Sequence, residues 1–134
     1  MNNSTLLLLS FSVGVMVVIQ GGINSRLGIL LNNSLLATLI ALTMAASFTL
    51  IAVLISVRQF PSMYQLREIP VYMWVSGGLL SFLAVTLFYY VIPKVGISTA
   101  VTFGLAGQLL FAAIAGHFGW FNICLLYTSD AADE

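Results

Sequence analysis

Residues 35–57 read LLATLIALTMAASFTLIAVLISV, an unbroken apolar run with no Asp, Glu, Lys or Arg. At ~1.5 Å per helical residue such a run crosses a hydrocarbon core about 30 Å thick. Three more runs of this kind flank it, roughly Leu6 to Ile23, Val71 to Ile92 and Val95 to Ala115. Every Asp, Glu, Lys and Arg lies outside these four stretches. A membrane interior offers the backbone no water, so each run must satisfy its own N–H and C=O groups as a helix. The sequence therefore predicts an all-α integral membrane bundle with four transmembrane helices, about 6–23, 35–57, 71–92 and 95–115, and the lipid bilayer as its first partner.

Composition agrees. The 134 residues are 60% hydrophobic and only 6% charged, with a mean hydropathy of +1.09, against roughly 25% charged residues in a soluble domain. Three of the four acids, Asp130, Asp133 and Glu134, fall in the last five residues, which leaves Glu68 against Arg26, Arg58, Arg67 and Lys94. No basic cluster points to nucleic acid. If the loops alternate sides, Arg58 and Arg67 share one side while Arg26 and Lys94 share the other. Two against two gives the positive-inside rule no preferred orientation, so both topologies could insert and pair as an inverted dimer.

The connections read as Asn24 to Ser34, Arg58 to Pro70 and a tight turn at Pro93-Lys94-Val95-Gly96. Pro70 suits the first turn of the third span, and Pro93 with Gly96 is expected to stop that span. Tyr72 and Trp74 at one end of it and Tyr89 and Tyr90 at the other form interfacial aromatic belts. The first span lacks the Lys or Arg that precedes a signal peptide's apolar core and reads as retained. Residues 124–134 resemble the conceptual translation of a transposase adapter from sequencing libraries. They are expected to be a non-native tail on a reading frame cut near Ile123.

Chemistry-bearing residues are few. There is one histidine, one cysteine, no phosphate-binding Gly-Lys-Ser/Thr loop and no paired carboxylates, so no catalytic residue, metal site or cofactor is expected. No Asp, Glu, Lys or Arg lies within the four runs, which disfavours coupling through an intramembrane carboxylate. What the spans hold are amides and small residues. Gln20 and Asn24, four apart and separated by Gly21-Gly22, share a helix face. They could line a substrate cavity or hydrogen-bond across a helix interface. Ala37, Ala41, Ala45 and Thr49 recur every four residues in the second span, as do Ala100, Gly104, Gln108, Ala112 and Gly116 in the fourth. Such small-residue stripes are chiefly packing faces, and Gly77-Gly78 reads the same way. Gln108 is the exception, because an unpaired amide in hydrocarbon costs several kcal/mol and needs a partner or a wet cavity. His117, beside Phe118, Gly119 and Trp120, reads as an interfacial histidine or a proton-sensitive group.

Several of these residues together resemble a family. Gln20 and Asn24 closing the first span, Trp74 to Gly77-Gly78 opening the third and Pro93-Lys94-Val95-Gly96 before the fourth carry the first part of the likeness. Gly107-Gln108-Leu109-Leu110 followed by His117-Phe118-Gly119 carries the rest. These motifs resemble the YdcZ-like proteins of the drug/metabolite transporter superfamily over nearly all of residues 1–123. The resemblance implies a bacterial, multi-pass inner-membrane protein of about five helices, a half-size unit that pairs as a homodimer or with a homologous half-transporter. Inverted pairs of this sort give alternating access around a midplane site. It also implies an unknown small solute as substrate, and the amides of Gln20, Asn24 and Gln108 read above are the substrate-binding candidates. Ala37, Ala41, Ala45, Gly77, Gly78, Gly104 and Gly107 are the helix-packing candidates. Two features depart from the family pattern: Gly116 stands where an acid often precedes the histidine, and the fifth helix is absent, as truncation would explain. The alternatives are a non-transporting subunit packed against a larger partner, and an inactive fragment.

Overall fold

The computed structural model describes residues 2–120. They form α1 (Asn3–Leu30), α2 (Ser34–Ser56), α3 (Met63–Glu68), α4 (Val71–Val95) and α5 (Ile97–His117), with no strand among the described residues. All but α3 are long and apolar enough to cross a membrane, at mean hydropathies of 2.2, 2.3, 1.9 and 1.7. The protein is thus an all-α membrane bundle. The expected tail at 124–134, with Cys124, lies outside the described residues.

The elements differ from expectation mainly at their ends. The first helix does not stop at Ile23 but continues through Asn24, Ser25 and Arg26 to Leu30, because polar side chains end an apolar window without interrupting the i→i−4 ladder. Gly21 and Gly22 lie within it unbroken. In the polar loop, Met63–Glu68 coils into a short helix held by a capping box. The Gln65 N–H donates to Ser62 Oγ at 3.4 Å and the Ser62 N–H to Gln65 Oε1 at 2.9 Å. Pro70 is the N-cap of α4 and not a residue of its first turn. Pro93 sits inside the last turn of α4, which runs on to Val95. Gly96 ends the helix at φ 85°, a left-handed conformation that suits glycine, while its N–H still closes on the Ile92 carbonyl at 2.9 Å.

The described residues divide into two units, the first ending at Ile97 and the second beginning at Ser98. Within the first, α1, α2 and α4 pack pairwise, up, down and up, so that the end of α1, the start of α2 and the end of α4 meet. The buried seam of α1 is Gly21, Ser25 and Gly28, spaced four and three apart and hence on one face. At Gly21 the backbone approaches α4 closely: a Cβ there would stand 2.5 Å from Phe88 Cε1 and 3.4 Å from Ile92 Cδ1. At Gly28 the neighbours are Ser34 and Ala37 of α2. Small residues let helices touch where no hydrophobic force from water drives them together.

Several hydroxyls on the spans are satisfied within their own helix. Ser10, Ser12, Ser47 and Thr49 each donate to the carbonyl four residues earlier at 2.8–3.0 Å, and Thr102 of the second unit does likewise. This is how a polar group tolerates lipid. The second unit carries α5, followed by a ring cluster. The His117 imidazole meets Phe118 edge-on at 5.2 Å, and Phe118 stacks on Trp120 at 5.8 Å.

Candidate functional site

Where α1, α2 and α4 meet, polar groups from separate parts of the chain collect. Asn24, in the penultimate turn of α1, is half-buried, and its Nδ2 donates to the Tyr89 hydroxyl of α4 at 2.8 Å. Tyr89 is only 3% exposed. The bond uses one amide donor and one phenol lone pair. It leaves the Tyr89 O–H, the second Asn24 N–H and the Asn24 carbonyl oxygen free to serve a third group, two as donors and one as acceptor.

Two further polar atoms lie on the same two helices. Ser25 is 2% exposed, and its Oγ, like Thr86 Oγ1 on α4, is buried with no hydrogen-bond partner among the described residues. Thr38 of α2, 1% exposed, donates instead to the Ser34 carbonyl at 2.9 Å.

At the end where α1 and α4 finish and α2 begins, the same junction opens into a cleft of about 390 Å³. Its walls come from the end of α1 (Gly28, Ile29), the connection and start of α2 (Asn32 to Leu35), and the last turns of α4 (Tyr89, Tyr90, Pro93, Lys94). The connection is built tightly. Asn32 takes a left-handed conformation at φ 51°, and Asn33 Oδ1 caps α2 by accepting the N–H groups of Leu35 and Leu36 at 2.9 and 3.3 Å. On the opposite wall the Lys94 ammonium donates to the Tyr90 hydroxyl one turn back and stands 3.8 Å from the centroid of that ring.

A family model described as "Putative inner membrane exporter, YdcZ" matches residues 5–125. The chain belongs to the YdcZ family. No curated protein and no solved structure matches it. As a YdcZ-family protein with four spanning helices it is a multi-pass inner-membrane protein of a transporter family.

The residues singled out in the sequence fall in different settings in this YdcZ-family chain. Asn24 belongs to the polar node. Gln20, one turn earlier on α1, is exposed and has no hydrogen-bond partner among the described residues, and the same holds for Gln108 on α5 in the second unit. Of the small residues, Ala37 is fully buried, Ala41 half-buried and Ala45 exposed. Gly77, Gly78, Gly104 and Gly107 are open, with no atom within 4 Å of where a Cβ would stand. Among the described residues no cluster of His, Cys, Asp or Glu could hold a metal ion.

Sequence reasoning missed Ser25, Thr38 and the partnership of Tyr89. Tyr89 was readable as a belt residue, and nothing local linked it to an asparagine 65 positions away. For Ser25 a signal existed, the small-residue spacing Gly21, Ser25, Gly28.

Proposed function

We propose that this YdcZ-family protein carries a small polar or organic solute across the inner membrane, as a half-size subunit working by alternating access in a dimer. The observation that supports this most is the Asn24–Tyr89 hydrogen bond. It is a polar node between two otherwise apolar spans, with two donors and one acceptor still unspent. A solute offering both an acceptor and a donor would complete it. Gln20 and Gln108 are each assigned a transport role because an amide left unpaired in hydrocarbon costs several kcal/mol, and a hydrated route relieves that cost.

The dimer follows from charge. Arg26 and Lys94 lie at the end of the first unit where α1 and α4 finish, and Arg58 and Arg67 lie in the connection from α2 to α4. An even balance permits both insertions, and two oppositely inserted copies make an inverted repeat. A second reading, a non-transporting packing subunit for a larger membrane partner, draws on the open small-residue positions Gly77, Gly78, Gly104 and Gly107. Neither reading uses a catalytic residue, metal or cofactor.

The test is flux into proteoliposomes holding the purified chain, against separate panels of amino acids, nucleosides, sugars, organic acids and aromatic amines. Asn24→Leu and Gln108→Leu should each lower the flux of the transported class about tenfold, the loss of one hydrogen bond to substrate, while membrane insertion stays intact. Flux unchanged in both variants refutes the assignment. Absence of flux together with stoichiometric capture of one membrane partner favours the packing subunit.

A further inference from the structure

We propose that the cleft between the α1–α2 connection and the last turn of α4 is a headgroup site for an anionic phospholipid, with Lys94 as the cation that meets the phosphate. The inference goes beyond transport and stands whether or not the protein moves a solute.

Charge supports it first. Glu68 is the sole acid among the described residues, and it sits in the connection that precedes α4, whereas Lys94 sits at the far end of that helix. Lys94 therefore has no carboxylate partner among the described residues. Its ammonium is held only by the hydroxyl and ring face of Tyr90. An ammonium has three N–H donors, so two remain for a ligand. Arg26, exposed on α1 at the same end of the unit, adds a second positive charge there.

The hydrogen-bonding capacity of the facing wall points the same way. Asn33 spends its carbonyl oxygen on the N-cap of α2, so the part of its side chain left for a ligand is its pair of N–H donors. Asn32 adds another amide, on a turn fixed by its left-handed backbone. The cleft is thus rich in donors and carries a cation, which suits a ligand made of acceptor oxygens. A phosphate diester has that character.

The remaining walls separate a lipid from a dissolved anion. Ile29, Leu35 and Pro93 give the cleft an apolar lining beside Lys94. A soluble phosphate ester gains nothing from it, whereas a phospholipid can lay its glycerol and first acyl carbons there. Position agrees, because the cleft lies where three spans end, at headgroup depth, the level at which basic side chains meet anionic lipid.

The experiment is native mass spectrometry of the purified full chain in detergent, titrated separately with phosphatidylglycerol and phosphatidylcholine of the same acyl chains. Phosphatidylglycerol should bind in preference, and Lys94→Gln should weaken it about fivefold, the effect of removing one lysine from an anionic lipid surface. Lys94→Arg should keep the preference, and Arg67→Gln, at the other end of the unit, should leave it unchanged. Equal retention of the two lipids, or equal weakening by Lys94→Gln and Arg67→Gln, overturns the proposal. Glycerol 3-phosphate is added as the soluble competitor. Its failure to displace the lipid supports the assignment, and displacement at lipid-equivalent concentration overturns it in favour of a site for dissolved phosphate esters.

Discussion

Gly21→Ala puts the packing of the bundle to a quantitative test. The added methyl would stand 2.5 Å from Phe88 Cε1, 3.2 Å from Phe88 Cδ1 and 3.4 Å from Ile92 Cδ1. The first of these is well inside the 3.5–4.0 Å at which two carbons attract, so either the Phe88 ring or the helix pair must shift. Overpacking of this size costs about 1–3 kcal/mol. Against it stands the gain from replacing glycine within a helix, about 1 kcal/mol. A single measurement on Gly21→Ala therefore mixes two opposing effects.

A reference site separates them. Gly77 of α4 is also helical, but nothing lies within 4 Å of its would-be Cβ, so Gly77→Ala reports the propensity gain alone. Reversible unfolding in mixed micelles, followed by circular dichroism against the mole fraction of SDS, supplies both values. Gly21→Ala should be less stable than Gly77→Ala by about 1–3 kcal/mol. Combining Gly21→Ala with Phe88→Ala should recover most of the difference as a coupling energy, as expected for residues in contact. If the two alanine variants agree to within about 0.5 kcal/mol, the additivity expected of non-interacting sites, then α1 and α4 do not meet at Gly21 and the arrangement of the first unit is wrong.

Three other substitutions probe the junction. Tyr89→Phe removes the acceptor of Asn24 and should destabilise the chain by about 0.6–1.7 kcal/mol, the range of interhelical hydrogen bonds in membranes, as read by the same SDS titration; no change would mean that the bond is absent in lipid. Asn33→Ala deletes the cap that accepts two N–H groups of α2 and should cost about 0.5–2 kcal/mol, with Asn33→Asp retaining stability. Ser25→Ala removes a buried hydroxyl that has no partner and should stabilise the chain by about 1 kcal/mol; a loss of that size instead would show that Ser25 binds a group in the membrane.

The four spans were legible because a continuous apolar run of that length has one stable state in lipid, whatever its detailed order. Their ends were not. Asn24, Ser25 and Arg26 lower local hydropathy, yet the helix carries them to Leu30, since the ladder of backbone bonds and the packing of Gly28 on Ala37 hold that last turn. The short helix at Met63–Glu68 did have a written signal, Ser62 and Gln65 three apart, which a search for apolar runs passes over. The close-packed seam at Gly21, Ser25 and Gly28 was obscured because its spacing alternates four and three, whereas the stripes noticed in the second and fourth spans repeat strictly by four. A strict four-residue repeat drifts around a 3.6-residue helix. Ala37, Ala41 and Ala45 accordingly run from buried to half-buried to exposed along α2. The Asn24–Tyr89 bond was illegible for a different reason: it joins helices that only the assembled bundle brings together.

Polar atoms sort the molecule into parts finished by the chain itself and parts that need something more. Hydroxyls at Ser10, Ser12, Ser47 and Thr49 close on their own helices and make no further demand on lipid. Asn24 and Tyr89 satisfy each other only in part. Ser25 and Thr86 are buried and unpartnered, and the amides of Gln20 and Gln108 face outward from apolar helices. In water such groups would be inconsequential, because solvent would meet them. In a bilayer each must be met by water in a cavity, by a solute or by another chain, and it is this unmet demand, within α1 and α4 and separately on α5, that the proposed transport role would answer.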